Sequence, residues 1–137
     1  MLLRFAIIAL FGIKLKKDYK MRVLLVKLTS MGDIFHTLPA VSEMVAHCPD
    51  LTIDWLVDEQ FAEIPKWSRH VNRVFTVSLR NSKKNNKFSS FSAIRASLKQ
   101  VKKNAYDLVI DPQGLLKSAI LTRLVSAKQR HGYDKHS

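Results

Sequence analysis

MRVLLVKLTSMGDIFHT, residues 21–37, is the stretch that decides the fold. Residues 22–28 are predicted to form a buried strand, because residues 23–26 within them are a continuous aliphatic and β-branched run that is too short for a helix. Small and polar residues break the run at 29–33, and an apolar helical pattern starts at Ile34. A strand, a tight glycine-containing turn and a helix are typical of an α/β sheet, whose ligands meet the carboxyl ends of parallel strands. Asp33 lies in that turn, so its carboxylate is the first candidate for chemistry.

The rest of the chain repeats this alternation of strands and helices. The later elements are predicted as a helix at 34–47, a strand at 51–57, a short helix at 58–64 stopped by Pro65, a strand at 71–77, a loop at 79–92, a helix at 91–104, a strand at 106–110, a turn at 111–114 and a helix at 115–126. Strands separated by helices imply a Rossmann-like parallel sheet with flanking helices. Pro39 is tolerated only near a first turn, so the first helix is expected to begin after Asp33 or to bend at Leu38.

The far edge of the predicted sheet is open. After the last predicted helix, residues 130–137 are short and polar, at a point where a further strand would be expected. Four β/α units without a closing element predict a truncated domain. Exposed strand edges and an uncovered interface then predict marginal stability or association.

Length and cysteine usage bound the class of protein. With 137 residues and 47% hydrophobic content, the chain has room for one domain with an ordinary core. The single cysteine, Cys48, excludes an internal disulfide framework and a cysteine-based metal site, and it favours a reducing compartment. Cys48 is interpreted as a core or helix-end residue, because nothing near it in sequence would activate a thiol.

The charge predicts an anionic partner. A formal charge of +12 and a pI near 10.1 suit nucleic acid, a membrane surface or a phosphorylated substrate equally well. The loop at 79–92 is rich in basic residues among Asn and Ser, and the helix at 91–104 is basic and amphipathic. That helix is interpreted as a solvated outer helix, with a binding face as the alternative. A basic nucleic-acid binding module is the rival interpretation of the whole chain, supported by charge alone because no nucleic-acid motif is present.

Residues 1–20 differ from the rest and are expected to form an extension of the domain at 21–137. Their apolar part, Phe5 to Ile13, is well short of the roughly 20 residues that cross a bilayer, and the lysines follow it. The extension is therefore a poor signal peptide and a poor transmembrane helix. A short interfacial anchor, an additional strand or helix, and an upstream extension of the reading frame remain as interpretations. The last is favoured because the fold pattern begins at Met21.

The two turns lack the familiar phosphate-binding motifs. Residues 29–33 contain neither G-x-G-x-x-G nor the P-loop pattern, so nucleotide binding by this half is not expected. Asp33 either caps the first helix or takes part in catalysis. Asp111 either closes a turn with Pro112 or belongs to a site. His36 is interpreted as a structural histidine.

Two blocks of sequence carry a resemblance to a known family. Residues 30–39 read SMGDIFHTLP and residues 111–118 read DPQGLLKS, with IDWLVDEQFAEIPKW at 53–67 and HVNRVFTV at 70–77 between them. From residue 21 to about residue 133 the chain resembles the amino-terminal domain of the lipopolysaccharide heptosyltransferase I enzymes of glycosyltransferase family 9, which have the GT-B fold. The resemblance does not include their carboxyl-terminal domain, which holds most of the sugar-nucleotide site. It therefore implies a truncated amino-terminal domain of a GT-B glycosyltransferase.

The resemblance assigns roles to both turns. In such enzymes the aspartate of S-M-G-D is the general base that deprotonates the acceptor hydroxyl during its attack on ADP-heptose, and Asp33 takes this role. A carboxylate in a cleft closed by a second domain loses solvent and gains basicity. Lys27 matches a family lysine that would hold Asp33 ionised; the alternative is a strand-end lysine with its ammonium in water. Substrate-binding roles fall to the other matching residues of the turns: Ser30, Met31, Gly32, Gln113 and Gly114.

The acceptor implied by the resemblance is Kdo-lipid A, an anionic glycolipid. Arg80, Lys83 and Lys84 match basic loop residues that contact this acceptor in the family, whereas Asn81 departs from an arginine. Each basic residue near an anionic surface contributes about 1 kcal/mol, so this departure weakens docking without abolishing it.

The resemblance thus implies inverting heptosyl transfer from ADP-heptose in lipopolysaccharide inner-core biosynthesis. It implies a cytoplasmic enzyme, peripheral to the inner membrane surface of a Gram-negative bacterium, with no metal, no cofactor and no nucleic-acid partner. The chain would supply the acceptor half and the base, and alone it is expected to be inactive. A nonfunctional gene fragment is the remaining alternative, which a downstream frame encoding the second domain would exclude.

Overall fold

The computed structural model describes residues 20–78, 87–112, 123, 125 and 127–132. Strands and helices alternate along this part of the chain. The elements in chain order are β1 (Arg22–Val26), α1 (Met31–His47), β2 (Thr52–Asp58), a 3-10 turn (Glu59–Phe61), α2 (Glu63–Lys66), β3 (Val71–Val77), α3 (Lys87–Lys102), β4 (Tyr106–Asp111) and β5 (Ala127–Gly132).

The strands form a five-stranded sheet in the order β3-β2-β1-β4-β5, and every pairing is parallel. This confirms the predicted α/β class with a parallel, Rossmann-like sheet. The chain builds the sheet outward from β1 in both directions, first through β2 and β3 and later through β4 and β5. The carboxyl end of β1 therefore lies where the strand order reverses, which is the usual ligand position in open α/β sheets.

The core lies on both faces of the sheet because consecutive side chains of a strand point to opposite sides. Val23 and Leu25 pack with apolar residues of α1 on one face. Leu24 and Val26 pack on the other face against α3, through Leu98 and Val101. Since both faces of β1 are covered, its sequence reads as a continuous apolar run rather than an alternating one.

A buried polar cluster joins the strands near their amino ends. Asp54 of β2 is fully buried, and its carboxylate accepts hydrogen bonds from the Tyr106 hydroxyl at 2.7 Å and the Asn72 amide at 3.1 Å. The guanidinium of Arg22 lies 3.7 Å from the same carboxylate. Burial, and then the hydrogen bond to Asp54, raise the pKa of Tyr106. Tyr106 therefore acts as a neutral donor, and the cluster links β1, β2, β3 and β4 at the edge away from Asp33.

Three predicted helix boundaries are wrong. The first helix begins at Met31, before Asp33, and it contains Pro39. Pro65 lies within α2 and does not stop the preceding helix; α2 is a single turn, where proline is tolerated. The third predicted helix begins at Lys87, inside the predicted loop.

The fourth error concerns an edge strand, β5, that is present in the structure but was not predicted. β5 pairs with β4 from Tyr106↔Ala127 to Asp111↔Gly132, although its residues are mostly polar. Edge strands tolerate charged residues, and here Lys128 forms an ion pair of 3.2 Å with Asp107 of β4. The predicted helix at 115–126 lies outside the described residues except at 123 and 125, and the extension at 1–20 lies outside them except at Lys20.

Cys48 follows α1 and is buried in the core. Its backbone N–H donates to the carbonyl of Met44 at 2.9 Å, and burial raises the pKa of its thiol. A raised pKa lowers the thiolate fraction, so Cys48 is a poor nucleophile. Its interpretation as a core and helix-end residue is confirmed.

Candidate functional site

The candidate site is the turn between β1 and α1. Its first residue, Lys27, is fixed through its backbone by two residues of β2. The Lys27 N–H donates to the carbonyl of Leu56 at 3.2 Å, and the indole Nε1 of Trp55 donates to the Lys27 carbonyl at 3.0 Å. Because Trp55 is fully buried, the core itself sets the direction in which the chain leaves β1.

Asp33 lies in the first turn of α1, and Ser30 is the residue that precedes the helix. Ser30 makes no side-chain capping bond; its hydroxyl donates to the Asp33 carboxylate oxygen Oδ2 at 3.3 Å. The Thr37 hydroxyl donates to the backbone carbonyl of Asp33 at 2.7 Å. The alternative that Asp33 caps α1 is therefore wrong. Its carboxylate is held at a helix amino terminus, where the helix dipole interacts favourably with negative charge.

The turn is open to solvent. Ser30, Met31, Gly32 and Asp33 are all exposed. A Cβ atom built on Gly32 meets no atom within 4 Å. Internal packing therefore does not require a glycine here, and a ligand can reach the backbone beside Asp33.

Lys27 and Asp33 do not pair with each other. Lys27 is half-buried, and neither a hydrogen bond nor an ion pair joins the two residues in the described part of the chain. Electrostatic support of Asp33 by Lys27 stays a prediction.

Two further carboxylates end the strands that flank β1. Asp58 ends β2 and is buried; its N–H donates to the Leu28 carbonyl at 3.1 Å, and its Oδ1 accepts from the N–H of Gln60 at 3.0 Å. Asp111 ends β4 and is also buried. It is part of the strand rather than of the turn predicted at 111–114. Asp58 was missed at this edge, although an acidic residue directly after an apolar strand is the same signal that marked Asp111.

The structure describes the start of the predicted basic loop and His36, but not the other predicted substrate-binding residues. The Ser78 hydroxyl donates to Glu59 Oε1 at 3.0 Å and so joins the ends of β2 and β3, just before the basic loop. His36 is exposed on α1 with its ring centroid 6.4 Å from that of Phe35, and its interpretation as a structural histidine stays a prediction. The other predicted substrate-binding residues lie outside the described residues: Arg80, Lys83, Lys84, Gln113 and Gly114.

Two features are absent from the ranges that the structure describes, a metal-binding cluster and a membrane-spanning helix. In these ranges, His, Cys, Asp and Glu residues do not form a group of three or more that could hold a metal ion. No helix among the described residues is long and apolar enough to cross a membrane.

Residues 94–137 match the model of glycosyltransferase family 9, described as heptosyltransferase. Lipopolysaccharide heptosyltransferase 1 of Pseudomonas aeruginosa is 46% identical over 121 residues, which are 85% of this chain and 33% of that protein. The enzyme of the same name from Salmonella typhimurium is 44% identical over 115 residues, 83% of this chain and 36% of that protein. The chain thus spans about a third of the length of the curated relatives it matches.

Solved structures agree with these relatives. The structure of Escherichia coli heptosyltransferase WaaC with ADP superposes with a TM-score of 0.77 at 42% identity, over 85% of this chain and 37% of that chain. WaaC with ADP-2-deoxy-2-fluoro heptose gives a TM-score of 0.76 at 41% identity, over 85% of this chain and 38% of that chain. Sequence and fold therefore confirm the predicted resemblance to family 9 of the glycosyltransferases, the heptosyltransferases, over about a third of the length of those enzymes.

Proposed function

We propose that this chain is the acceptor-binding part of an inverting heptosyltransferase of lipopolysaccharide inner-core biosynthesis. The reaction is transfer of L-glycero-D-manno-heptose from ADP-heptose to the Kdo of Kdo-lipid A. One observation carries the proposal: the Asp33 carboxylate is exposed at the carboxyl edge of the sheet, in the S-M-G-D block and held by Ser30.

Asp33 acts as the general base in this proposal. Ser30 donates to Oδ2, which leaves Oδ1 to accept the proton of the acceptor hydroxyl. The acceptor oxygen forms a bond to the anomeric carbon as the bond from that carbon to ADP breaks, and ADP leaves with the electron pair. Attack opposite the leaving group inverts the anomeric centre.

The neighbouring carboxylates fit the role of base less well. Asp58 is buried and its Oδ1 is occupied by the N–H of Gln60, and Asp111 is buried in β4. A group that takes a proton from a large acceptor must be reachable by it. Asp33 is the exposed member of these three carboxylates.

The donor is proposed to bind mainly to a second domain, as in the GT-B fold. Two solved relatives are described with ADP and with ADP-2-deoxy-2-fluoro heptose, which supports a nucleotide-sugar donor. No metal or other cofactor is part of this proposal.

The acceptor and the place of reaction complete the proposal. The net charge of +12 suits an anionic glycolipid, and Arg80, Lys83 and Lys84 would contact it beside the turn. The protein would work on the cytoplasmic face of the inner membrane of a Gram-negative bacterium. We also propose that residues 1–20 are an extension of the acceptor-binding domain at 21–137, a division supported by the position of β1 at Arg22–Val26.

A chimeric enzyme tests the function. The chain is joined to the portion of the Pseudomonas aeruginosa relative that it does not match, and heptose transfer from ADP-heptose to Kdo-lipid A is measured. The chimera is expected to transfer heptose, and Asp33→Asn is expected to lower kcat by about 100-fold or more. Asp50→Asn, at an exposed turn after α1, is the matched control and should retain activity.

Two outcomes would count against the proposal. Full activity of the Asp33→Asn chimera would remove Asp33 from the mechanism. Heptose transfer by the chain alone would show that it is more than the acceptor half.

A further inference from the structure

Large apolar side chains lie exposed on one surface of the protein. Met31 is 63% exposed, Phe35 is 53% exposed and Trp67 is 66% exposed. Met31 and Phe35 are four residues apart on α1 and so are neighbours on one face of the helix. The ring centroids of Phe35 and Trp67 are 6.4 Å apart in an edge-to-face contact. Exposed apolar side chains that are grouped in this way, rather than scattered singly, indicate a contact surface.

A groove runs between α1 and the segment that follows α2. Its lining consists of Phe35, Leu38, Pro39 and Ser42 of α1 and of residues 67–70, and its volume is about 680 Å³. We name this surface the aromatic groove. The ionisable side chains among its lining residues are Arg69 and His70, and none of the lining residues is acidic. The groove therefore combines the apolar side chains of Phe35, Leu38 and Trp67 with the guanidinium of Arg69, which suits an anionic amphiphile.

We propose that the aromatic groove, together with Met31, docks this protein on an anionic phospholipid surface. Trp and Phe are suited to the boundary between headgroups and acyl chains. The guanidinium of Arg69 would bind a lipid phosphate through paired N–H donors. A net charge of +12 draws the whole chain toward such a surface.

A lipid surface fits the exposed apolar area better than a small soluble ligand does. Met31 lies outside the lining of the groove, yet it is as exposed as Trp67. The apolar area is thus wider than the groove itself. A ligand confined to the groove would leave Met31 in water, whereas a surface would cover both.

The docking surface leaves the base free. Successive residues of an α-helix are rotated by about 100°, so Asp33 projects from a different side of α1 than Met31 and Phe35 do. Lipid contact at the groove would hold the amino end of α1 near the membrane without covering the carboxylate. Only the placement of Asp33 near its acceptor rests on the proposed function. Lipid binding itself needs neither donor nor acceptor.

Tryptophan fluorescence tests the proposal directly. The chain has two tryptophans, of which Trp55 is fully buried and Trp67 is exposed. A change in emission on adding vesicles therefore reports Trp67. With vesicles of phosphatidylglycerol and phosphatidylcholine, the emission should shift to shorter wavelength and be quenched by brominated acyl chains. Phosphatidylcholine vesicles and soluble glycerol phosphate should produce neither effect.

Substitutions separate the groove from general charge attraction. Arg69→Ser should weaken binding to the anionic vesicles about fivefold, and Phe35→Ser should weaken it in the same direction. Arg95→Ser removes an equal charge from an exposed position on α3 and is the matched control, with a smaller effect expected. Circular dichroism checks that each variant is folded.

Several results would overturn the docking proposal. These are no binding to the anionic vesicles, binding with unchanged Trp67 emission, and equal weakening by Arg69→Ser and Arg95→Ser. A Trp67 response to glycerol phosphate alone would replace it with a small-anion site. Because the vesicles contain no Kdo-lipid A, none of these results bears on the chimera assay, and failure of that assay leaves lipid docking intact.

Discussion

The indole Nε1 of Trp55 donates a hydrogen bond of 3.0 Å to the carbonyl oxygen of Lys27. Trp55 belongs to the core of β2, whereas Lys27 begins the turn that leads to Asp33. The Trp55 side chain therefore fixes the start of the candidate site relative to the core.

Trp55→Phe should lower the free energy of unfolding by about 1–3 kcal/mol, because the partly buried Lys27 carbonyl loses its donor and a smaller ring replaces a fully buried indole. Urea unfolding of the chain measures this loss. The control is Trp67→Phe, whose side chain is exposed and whose effect should stay below about 0.5 kcal/mol. Equal effects of the two substitutions would show that the hydrogen bond to Lys27 does not set the stability of this region.

Ser30→Ala should affect stability and catalysis differently. Replacing a capping serine usually costs about 1 kcal/mol, but Ser30 makes no side-chain capping bond. The free energy of unfolding should therefore change by less than about 0.5 kcal/mol. Loss of the hydrogen bond to Asp33 should lower kcat of the chimera while leaving the KM for ADP-heptose unchanged. A large loss of stability with normal kcat would instead identify Ser30 as a helix cap.

Gly32→Ala should stabilise the chain while impairing the site. Gly32 is the second residue of α1, and an added Cβ meets no atom within 4 Å. Alanine in a helix is favoured over glycine by about 0.5–1 kcal/mol, so the melting temperature should rise. The added methyl group occupies the space proposed for the acceptor, so the KM for Kdo-lipid A should increase in the chimera. An unchanged KM would mean that the acceptor does not approach this backbone.

Tyr106→Phe tests the buried polar cluster. The Tyr106 hydroxyl donates to the fully buried Asp54 carboxylate, and its loss should cost about 1–3 kcal/mol of unfolding free energy. The measurement is urea unfolding at neutral pH. Because the cluster lies at the edge away from Asp33, the KM for Kdo-lipid A in the chimera should be unchanged. A raised KM would show that the two edges of the sheet are coupled.

Asp107 should make stability fall in acid. Burial alone would raise the pKa of Asp107, but the backbone N–H of Arg22 and the ammonium of Lys128 together hold it below its usual value. A carboxyl whose pKa is lowered on folding contributes stability above its unfolded pKa, and this contribution disappears as pH falls through the folded pKa. Unfolding measured from neutral pH downward should show a shallower acid loss in Asp107→Asn. An identical slope in both proteins would contradict this role.

The elements with strong apolar patterns could be predicted from the sequence. The signals for β1, the turn and α1 lie in one short stretch of sequence. The continuous apolar run from Val23 to Val26 is typical of a strand that is covered on both faces. β5 could not be predicted in this way, because an edge strand needs no apolar run and its pairing with β4 is a long-range property. The start of α1 at Met31 was missed for a similar reason, since residues before Ile34 contribute nothing to the core.

Part of the candidate site could also be predicted. The position of Asp33 after β1 follows from the order of the elements. That Asp33 does not cap α1 became clear only from the position of Ser30, which precedes the helix and donates to the Asp33 carboxylate. The bond from Trp55 to Lys27 joins residues 28 positions apart and has no local signature. The aromatic groove was not predicted, because Phe35 and Trp67 are far apart in the sequence and nothing in it indicates that these apolar side chains are exposed and in contact.

The burial of Cys48 has a practical consequence for studying this protein. Cys48 is only 8% exposed and burial raises the pKa of its thiol, so maleimide reagents should not react with it under native conditions. Because Cys48 is the single cysteine, Ser42→Cys would place one reactive thiol in the aromatic groove. A spin label attached there would measure the depth of the groove in a lipid bilayer, with the native cysteine left in place.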